Sequence, residues 1–180
     1  MYLEHGRPKD SAERTARELA VYDLLDCLEI PYTRVDHAPA ETMEVCAAID
    51  EVLNCRICKN LFLCNRQQTA FYLLMMPGDK PFKTKELSAQ IGSSRLSFAP
   101  AEKMVEYLGL YPGSVSVMGL MNDNEHKVKL LVDQDLFRDE YIGCHPCVNT
   151  SSLKLRRADI FETFLTSVKH NYLSVELHGG

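Results

Sequence analysis

Two apolar runs, residues 60–64 and 71–76, flank the polar segment NRQQT, and PGDKP closes the second run. Strand-length apolar stretches joined by a short polar turn mark a β-hairpin, so the densest local signal in the chain calls for a sheet. Helical spacing surrounds it. Apolar positions Ala12, Ala16, Leu19, Ala20, Leu24, Cys27 and Leu28 recur at helix period behind Ser11, a predicted N-cap, and that helix stops before Pro31. Residues 32–37 read as a short strand, with Thr42 capping a second helix that reaches about residue 53. Further helices are expected over 84–91 and 100–108, stopped by Gly92 and Gly109, with an extended piece at 96–98 between them. Past the Pro112-Gly113 turn, VSVMGL shows no helical period and reads as strand or loop. The remainder predicts a strand over 127–133, a helical turn near 134–139 and an irregular GCHPCVNT loop. A strand over 152–156, an amphipathic helix over 159–169 and a last strand near 172–177 follow. Strands interspersed with helices predict an α/β fold, a single domain with a mixed, mostly antiparallel β-sheet surrounded by helices. Residues 1–10 read as a flexible N-terminus and residues 11–180 as the domain.

A chain of 180 residues is long enough for one sizeable core and too short for two large domains. No apolar run approaches the roughly 18 residues of a membrane span, and MYLEHGRPKD lacks the layout of a signal peptide, so a cytoplasmic protein without membrane association is expected. The formal net charge of -5 argues against a protein that coats nucleic acid, yet leaves room for one basic pocket. The seven cysteines are an odd number and are expected to be reduced. Two CxxC spacings, Cys55/Cys58 and Cys144/Cys147, suit zinc knuckles in principle. The pairs lie far apart in sequence and the first runs into an apolar strand, so packing as small hydrophobes is preferred and no metal or cofactor is expected.

Signatures of common catalysts are missing: there is no GxSxG elbow, HExxH, Walker loop or GxGxxG. What remains is polar residues set against apolar strands. Lys59 and Asn60 interrupt a buried-looking run; a lysine there either snorkels to solvent or serves a pocket. In Gly143-Cys144-His145-Pro146, followed by Asn149, the glycine and proline fix the backbone and present His145 rigidly, able to accept or donate a hydrogen bond near neutral pH. The segment LGLYPGSVSVMGLMND could aim backbone N–H groups at a carbonyl or carboxylate.

In chain order, CKNLFL, SRLSFA, LGLYPGSVSVMGLMND, HKVKLLVD and IGCHPCVNTSSLKL resemble the YbaK/ProX superfamily, the editing domains associated with prolyl-tRNA synthetase. The likeness is greatest to the freestanding ProX branch and runs over residues 18–177. HAPAETMEV is similar to the family segment in which a threonine-capped helix follows the first strand, which brings in Thr42. The resemblance implies hydrolysis of the ester joining a mischarged amino acid to the terminal adenosine of proline tRNA, alanine being the expected amino acid. It implies that Lys59 holds a phosphate of that adenosine, that Asn60 bonds near the amino acid or ribose, and that His145 borders the pocket. The loop of Gly113, Ser114, Val115, Ser116, Val117 and Gly119 would supply backbone contacts, with Thr42, Gly143 and Asn149 as further substrate-binding positions. Expected partners are the acceptor end of aminoacylated proline tRNA and prolyl-tRNA synthetase.

The resemblance leaves two other readings: a Cys-tRNA(Pro) deacylase of the YbaK type, and a noncatalytic module that binds an amino acid or aminoacyl-tRNA. Val117 stands where relatives commonly carry the proline of a GxxxP loop, and cysteines flank His145 where other small residues are usual. Basic candidates lie around Lys59, Lys80, Lys83, Lys85 and Arg95, with Lys154, Arg156 and Arg157 elsewhere, and those nearest the pocket are expected to form a small positive patch.

Overall fold

The computed structural model describes residues 1–40 and 42–179. The hairpin forms as the sequence predicts: β3 (Cys58–Cys64) pairs antiparallel with β4 (Phe71–Pro77), opposing Cys58 to Pro77 and Cys64 to Phe71. Every residue of β4 is buried because both of its faces are covered. Leu73 and Met75 enter the main core, whereas Tyr72, Leu74 and Met76 enter a second core beneath α3 (Thr84–Ile91). Each fully buried leucine or methionine contributes about 1.5–3 kcal/mol of transfer free energy. That doubly covered strand is why the run is continuously apolar rather than alternating.

Instead of one sheet there are two. A five-stranded sheet has the order β5 (Ser97–Phe98), β3, β4, β6 (Val128–Asp133), β9 (Tyr172–Val175). A four-stranded sheet has the order β1 (Leu3–His5), β2 (Thr33–Asp36), β8 (Ser151–Arg156), β7 (Tyr141–Cys144). Pairing is antiparallel throughout except for β4 with β6 and β6 with β9, so the fold is mixed and mostly antiparallel. The main core lies between the sheets and takes in Val21, Tyr22 and Leu25 of α1 (Ala16–Cys27) and Met104 and Leu108 of α4 (Ala101–Leu108). On the outer face of the smaller sheet, Ile49 and Leu53 of α2 (Met43–Leu53) pack against Val35.

Several boundaries differ from expectation for local reasons. The supposed flexible N-terminus supplies β1, whose Leu3, Glu4 and His5 register with Val35, Arg34 and Thr33. Thr15 rather than Ser11 caps α1, its hydroxyl accepting from Glu18 N–H. VSVMGL becomes a 3-10 helix, Val117–Asn122, capped by Ser116. The expected helix over 159–169 opens with a π turn, Asp159–Phe164, before α5 (Leu165–Ser167). β7 occupies the front of what reads as an irregular loop.

Candidate functional site

A cavity of about 460 Å³ opens where the two sheets meet, a size ordinary for small-ligand sites. Its origin is a defect in sheet pairing. β5 registers only with Leu63 and Cys64 of β3, so the first half of β3 has an open edge on that side. The segment just before β3 crosses instead to the smaller sheet, through the Ile57 bridge to Gly143 and the Gly143 N–H bond to Arg56 O at 2.9 Å. Cys58, Lys59 and Asn60 therefore stand at a mouth between sheets. The face of α2 carrying Cys46, Ala47 and Asp50 closes one side, and Gly78 and Asp79, just past β4, close another.

Five of the residues singled out in the sequence converge here: Lys59, Asn60, Gly113, Val115 and His145. Lys59 is half-buried; burial holds its ammonium below lysine's ordinary value, with Asp79 opposing that effect. The lysine ion pairs among the described residues belong to Lys80, Lys103 and Lys127, which leaves the Lys59 charge available to a ligand. Asn60 donates weakly to Cys58 Sγ at 3.4 Å, while its Oδ1 is buried with no partner among the described residues. An acceptor left so costs about 1–3 kcal/mol, and a bound donor would recover it.

His145 is wired from behind. Its Nδ1 lies 2.9 Å from Ser151 O and 3.3 Å from Ser152 Oγ. The carbonyl can only accept, so Nδ1 carries the proton and Nε2 keeps its lone pair. Ser152 Oγ in turn meets Nε2 of His37 at 2.8 Å, and His37 Nδ1 donates to Ala38 O at 2.7 Å. Burial, aided by His37, pushes the His145 pKa below the usual histidine range. The imidazole is thus neutral at pH 7, with an acceptor nitrogen beside the cavity.

The glycine loop divides into a lining part and a supporting part. Gly113 has φ +90, a left-handed conformation that a side chain disfavours, and with Val115 it reaches the cavity. Ser114 is buried and spends both its N–H and its hydroxyl on Tyr111 O, at 3.1 and 2.8 Å. Ser116 is fully buried; its hydroxyl donates to His145 O at 2.6 Å and accepts from Met118 N–H at 3.2 Å. Val117 and Gly119 lie in the core or against it. Ser114, Ser116, Val117 and Gly119 therefore hold the loop and do not line the cavity. Val117 is the first residue of its 3-10 helix, a position where proline is equally at home, and the Ser116 cap fixes the loop without it.

Three other positions also lie outside the lining. Thr42 is exposed and caps α2 by accepting from Val45 N–H at 3.3 Å. Asn149 stands behind Gly113, its Nδ2 3.7 Å from where a Cβ at that glycine would sit. Gly143 belongs to the inter-sheet bridge: a Cβ there would meet Cα and Cγ1 of Ile57 at 3.0 Å and Arg56 O at 3.2 Å. Gly143→Ala is accordingly expected to cost about 1–3 kcal/mol through overpacking of backbone that cannot yield. Chemical denaturation checks this; an unchanged midpoint would show that the bridge is loose.

Asp50, Arg56 and Asp79 also line the cavity, although nothing in the sequence marks them. Burial raises the Asp50 carboxyl, as does Asp79, even though one of its oxygens accepts from Ile57 N–H at 3.1 Å. Arg56 is committed to Asp139 at 2.8 Å. The adjacent Cys58 thiol is pushed up to about 12 by burial, so at neutral pH it is no thiolate nucleophile. Burial likewise pushes Cys55 up to about 11 and Cys147 up to about 12. Among the described residues, no group of three or more His, Cys, Asp or Glu side chains is arranged to hold a metal ion. No helix among them is long and apolar enough to cross a membrane.

The site thus pairs a lysine that has no ion pair among the described residues and a neutral histidine acceptor with an unsatisfied carboxamide and a carboxylate. The profile of the aminoacyl-tRNA editing domain family matches residues 37–163, which span the hairpin, the glycine loop and His145. The chain is 33% identical over 158 residues to the prolyl-tRNA editing protein ProX of Acetoanaerobium sticklandii, covering 88% of this chain and 96% of that protein. It is 29% identical over 150 residues to prolyl-tRNA synthetase associated domain-containing protein 1 of Danio rerio, covering 82% of this chain and 80% of that protein. In fold it is similar to a solved structure described as a candidate trans-editing enzyme for prolyl tRNA synthetase. The TM-score is 0.68 at 14% identity, over 92% of this chain and 99% of that one.

Proposed function

Because this chain belongs to the aminoacyl-tRNA editing domain family, we propose that it is a deacylase acting in trans on proline tRNA mischarged with alanine. The observation that carries the reading is the convergence of Lys59, Asn60, His145 and the Gly113 loop on one cavity from three separate segments. In this assignment Lys59 grips the phosphate of the terminal adenosine. The orphaned Asn60 Oδ1 takes a hydrogen from the α-ammonium or a ribose hydroxyl, and Asp50 adds negative charge on the ammonium side. Backbone N–H groups of the Gly113 loop face the ester carbonyl, where charge develops as water attacks. His145 Nε2 accepts from the attacking water or from the vicinal ribose hydroxyl.

An aminoacyl ester is already activated, so positioning water and stabilising the oxyanion supply most of what the reaction needs. That division of labour fits a site whose buried Cys58 thiol is held protonated. Selection follows from size. A methylene in a pocket is worth only about 1–3 kcal/mol, so a cleft that admits a small side chain and sterically refuses the proline ring discriminates better than added affinity would. The mischarged tRNA is taken after its release by prolyl-tRNA synthetase, which makes that enzyme the functional partner.

The test is a deacylation panel on one proline tRNA carrying alanine, cysteine or proline. Alanine should be released at least about tenfold faster than proline, a difference on the scale of one or two methylenes. Faster loss of cysteine than alanine would reassign the amino acid. Binding of all three without release would make the chain a noncatalytic module.

A further inference from the structure

Beside the catalytic cavity runs a second groove of about 440 Å³ that shares Lys59 with it. Its walls carry Lys83 and Lys85 from the start of α3, and its apolar surface comes from Leu61, Phe82 and Phe98. Phe98 is 64% exposed on the short strand β5, an unusual placement for a phenylalanine. Lys83 and Lys85 are exposed, and neither is among the lysines that form ion pairs within the described residues. On a chain of net charge -5, three lysines that have no ion pair among the described residues form a distinct local environment around an exposed aromatic ring. Of the other basic residues expected to form a patch, Lys80 is consumed by Asp133 and Asp135, at 2.6 and 2.5 Å, and Lys154 lies over the Tyr141 ring at 4.6 Å.

Cations along a track with an aromatic face between them are what a single-stranded nucleic acid needs: phosphates meet the lysines and a base stacks on the ring. The groove also leads away from the position where the terminal adenosine would sit, with Lys59 at the junction. We propose that it seats the unpaired nucleotides preceding the terminal adenosine, with one base stacked on Phe98 and the flanking phosphates held by Lys83 and Lys85. The inference rests on the deacylase reading for its substrate, and it adds residues that bind RNA without touching the ester.

The experiment compares two substrates of one chemistry, alanyl-tRNA and the alanyl ester of free adenosine, which is too short to enter the groove. Phe98→Ala and the double variant Lys83→Ala/Lys85→Ala should each lower kcat/KM on alanyl-tRNA on the order of tenfold, the scale of one lost base–aromatic stack or phosphate pair. Both should act on the adenosine ester within about twofold of the parent chain. Phe98→Tyr, which keeps the aromatic face, should restore the tRNA activity. Equal losses on both substrates, or none on either, overturn the proposal. Binding is followed separately by fluorescence anisotropy of an end-labelled single-stranded RNA ending in CCA. There Phe98→Ala should weaken binding and the double lysine variant should flatten the salt slope by about 1.4, at roughly 0.7 per phosphate contact. If the parent chain hydrolyses neither ester yet binds this RNA through Phe98, the deacylase reading fails and the groove stands. If it hydrolyses both and the variants bind RNA like the parent, the groove fails alone.

Discussion

Replacing Lys59 with alanine is expected to cut kcat/KM for release of alanine from proline tRNA by one to two orders of magnitude. The figure follows from losing a hydrogen bond to a charged group, worth about 1.5–3 kcal/mol, at a site where burial already holds the ammonium partly desolvated. Lys59 forms no ion pair with a carboxylate among the described residues, so its removal orphans no anion. Lys59→Met, which keeps the apolar stem along the strand, should melt within about 2 °C of the parent while losing the same activity, because substitutions free of buried partners shift stability little. Folding and function are thereby separated. How the loss divides is informative: a rise confined to KM means that the phosphate contact binds ground state and transition state alike, whereas an equal fall in kcat means that it positions the ester. Near-parental turnover in Lys59→Met would remove Lys59 from the substrate site.

Much of this site was legible in the sequence because its markers break a local rule. Lys59 and Asn60 stand out as polar residues inside an apolar strand, and Gly113 as a glycine in a turn that needs positive φ. The helices over 84–91 and 101–108 end at Gly92 and Gly109 in left-handed backbone, as their periodicity predicts. Asp50 was illegible, because an aspartate on a helix near Glu44 and Glu51 looks like any solvated face; only the closure of α2 over the gap between sheets brings it to the cavity. Ser116 misleads in the opposite direction. Its place in a glycine loop suggests substrate contact, but its hydroxyl serves the His145 carbonyl from a fully buried position. The division into two sheets depends on β1 and β7, strands of three and four residues, too short for alternation to register. β1 takes its partner, β2, from beyond α1, and pairing at that range leaves no local trace, whereas β7 pairs with β8 across a short loop.

The same long-range logic makes Asp36 the most consequential residue that carries no sequence signal. Its carboxylate accepts two bonds from Arg14 at 2.9 Å, one from Ser151 Oγ at 2.5 Å and one from Arg34. Arg34 is 1% exposed and, among the described residues, is otherwise paired with Glu4 and the Gly6 carbonyl alone. Asp36→Ala would strand that guanidinium in the interior with half its carboxylate partners. Breaking a buried ion pair from one side costs about 3–5 kcal/mol; the lower end applies here because Asp36 is itself partly reached by solvent. For a chain of this size about 3 kcal/mol lowers Tm by roughly 6–12 °C. Activity should fall as well, since Asp36 immediately precedes His37, whose ring reaches His145 through Ser152. Acid supplies a second measurement. Burial alone would raise the Asp36 carboxyl, but the bonds from Arg14, Arg34 and Ser151 outweigh it and hold the group well below the usual carboxylate range. The folded chain therefore binds that proton less readily than the unfolded chain. The stabilisation is complete above the unfolded value near 4 and drains away as pH falls toward the folded one. Thermal melts of the parent from pH 7 downward should steepen below about pH 4, while those of Asp36→Ala should start lower and fall less. Parallel acid limbs would show that Asp36 is not the group being protonated, and a variant melting within about 2 °C of the parent at pH 7 would show that Arg34 finds another partner.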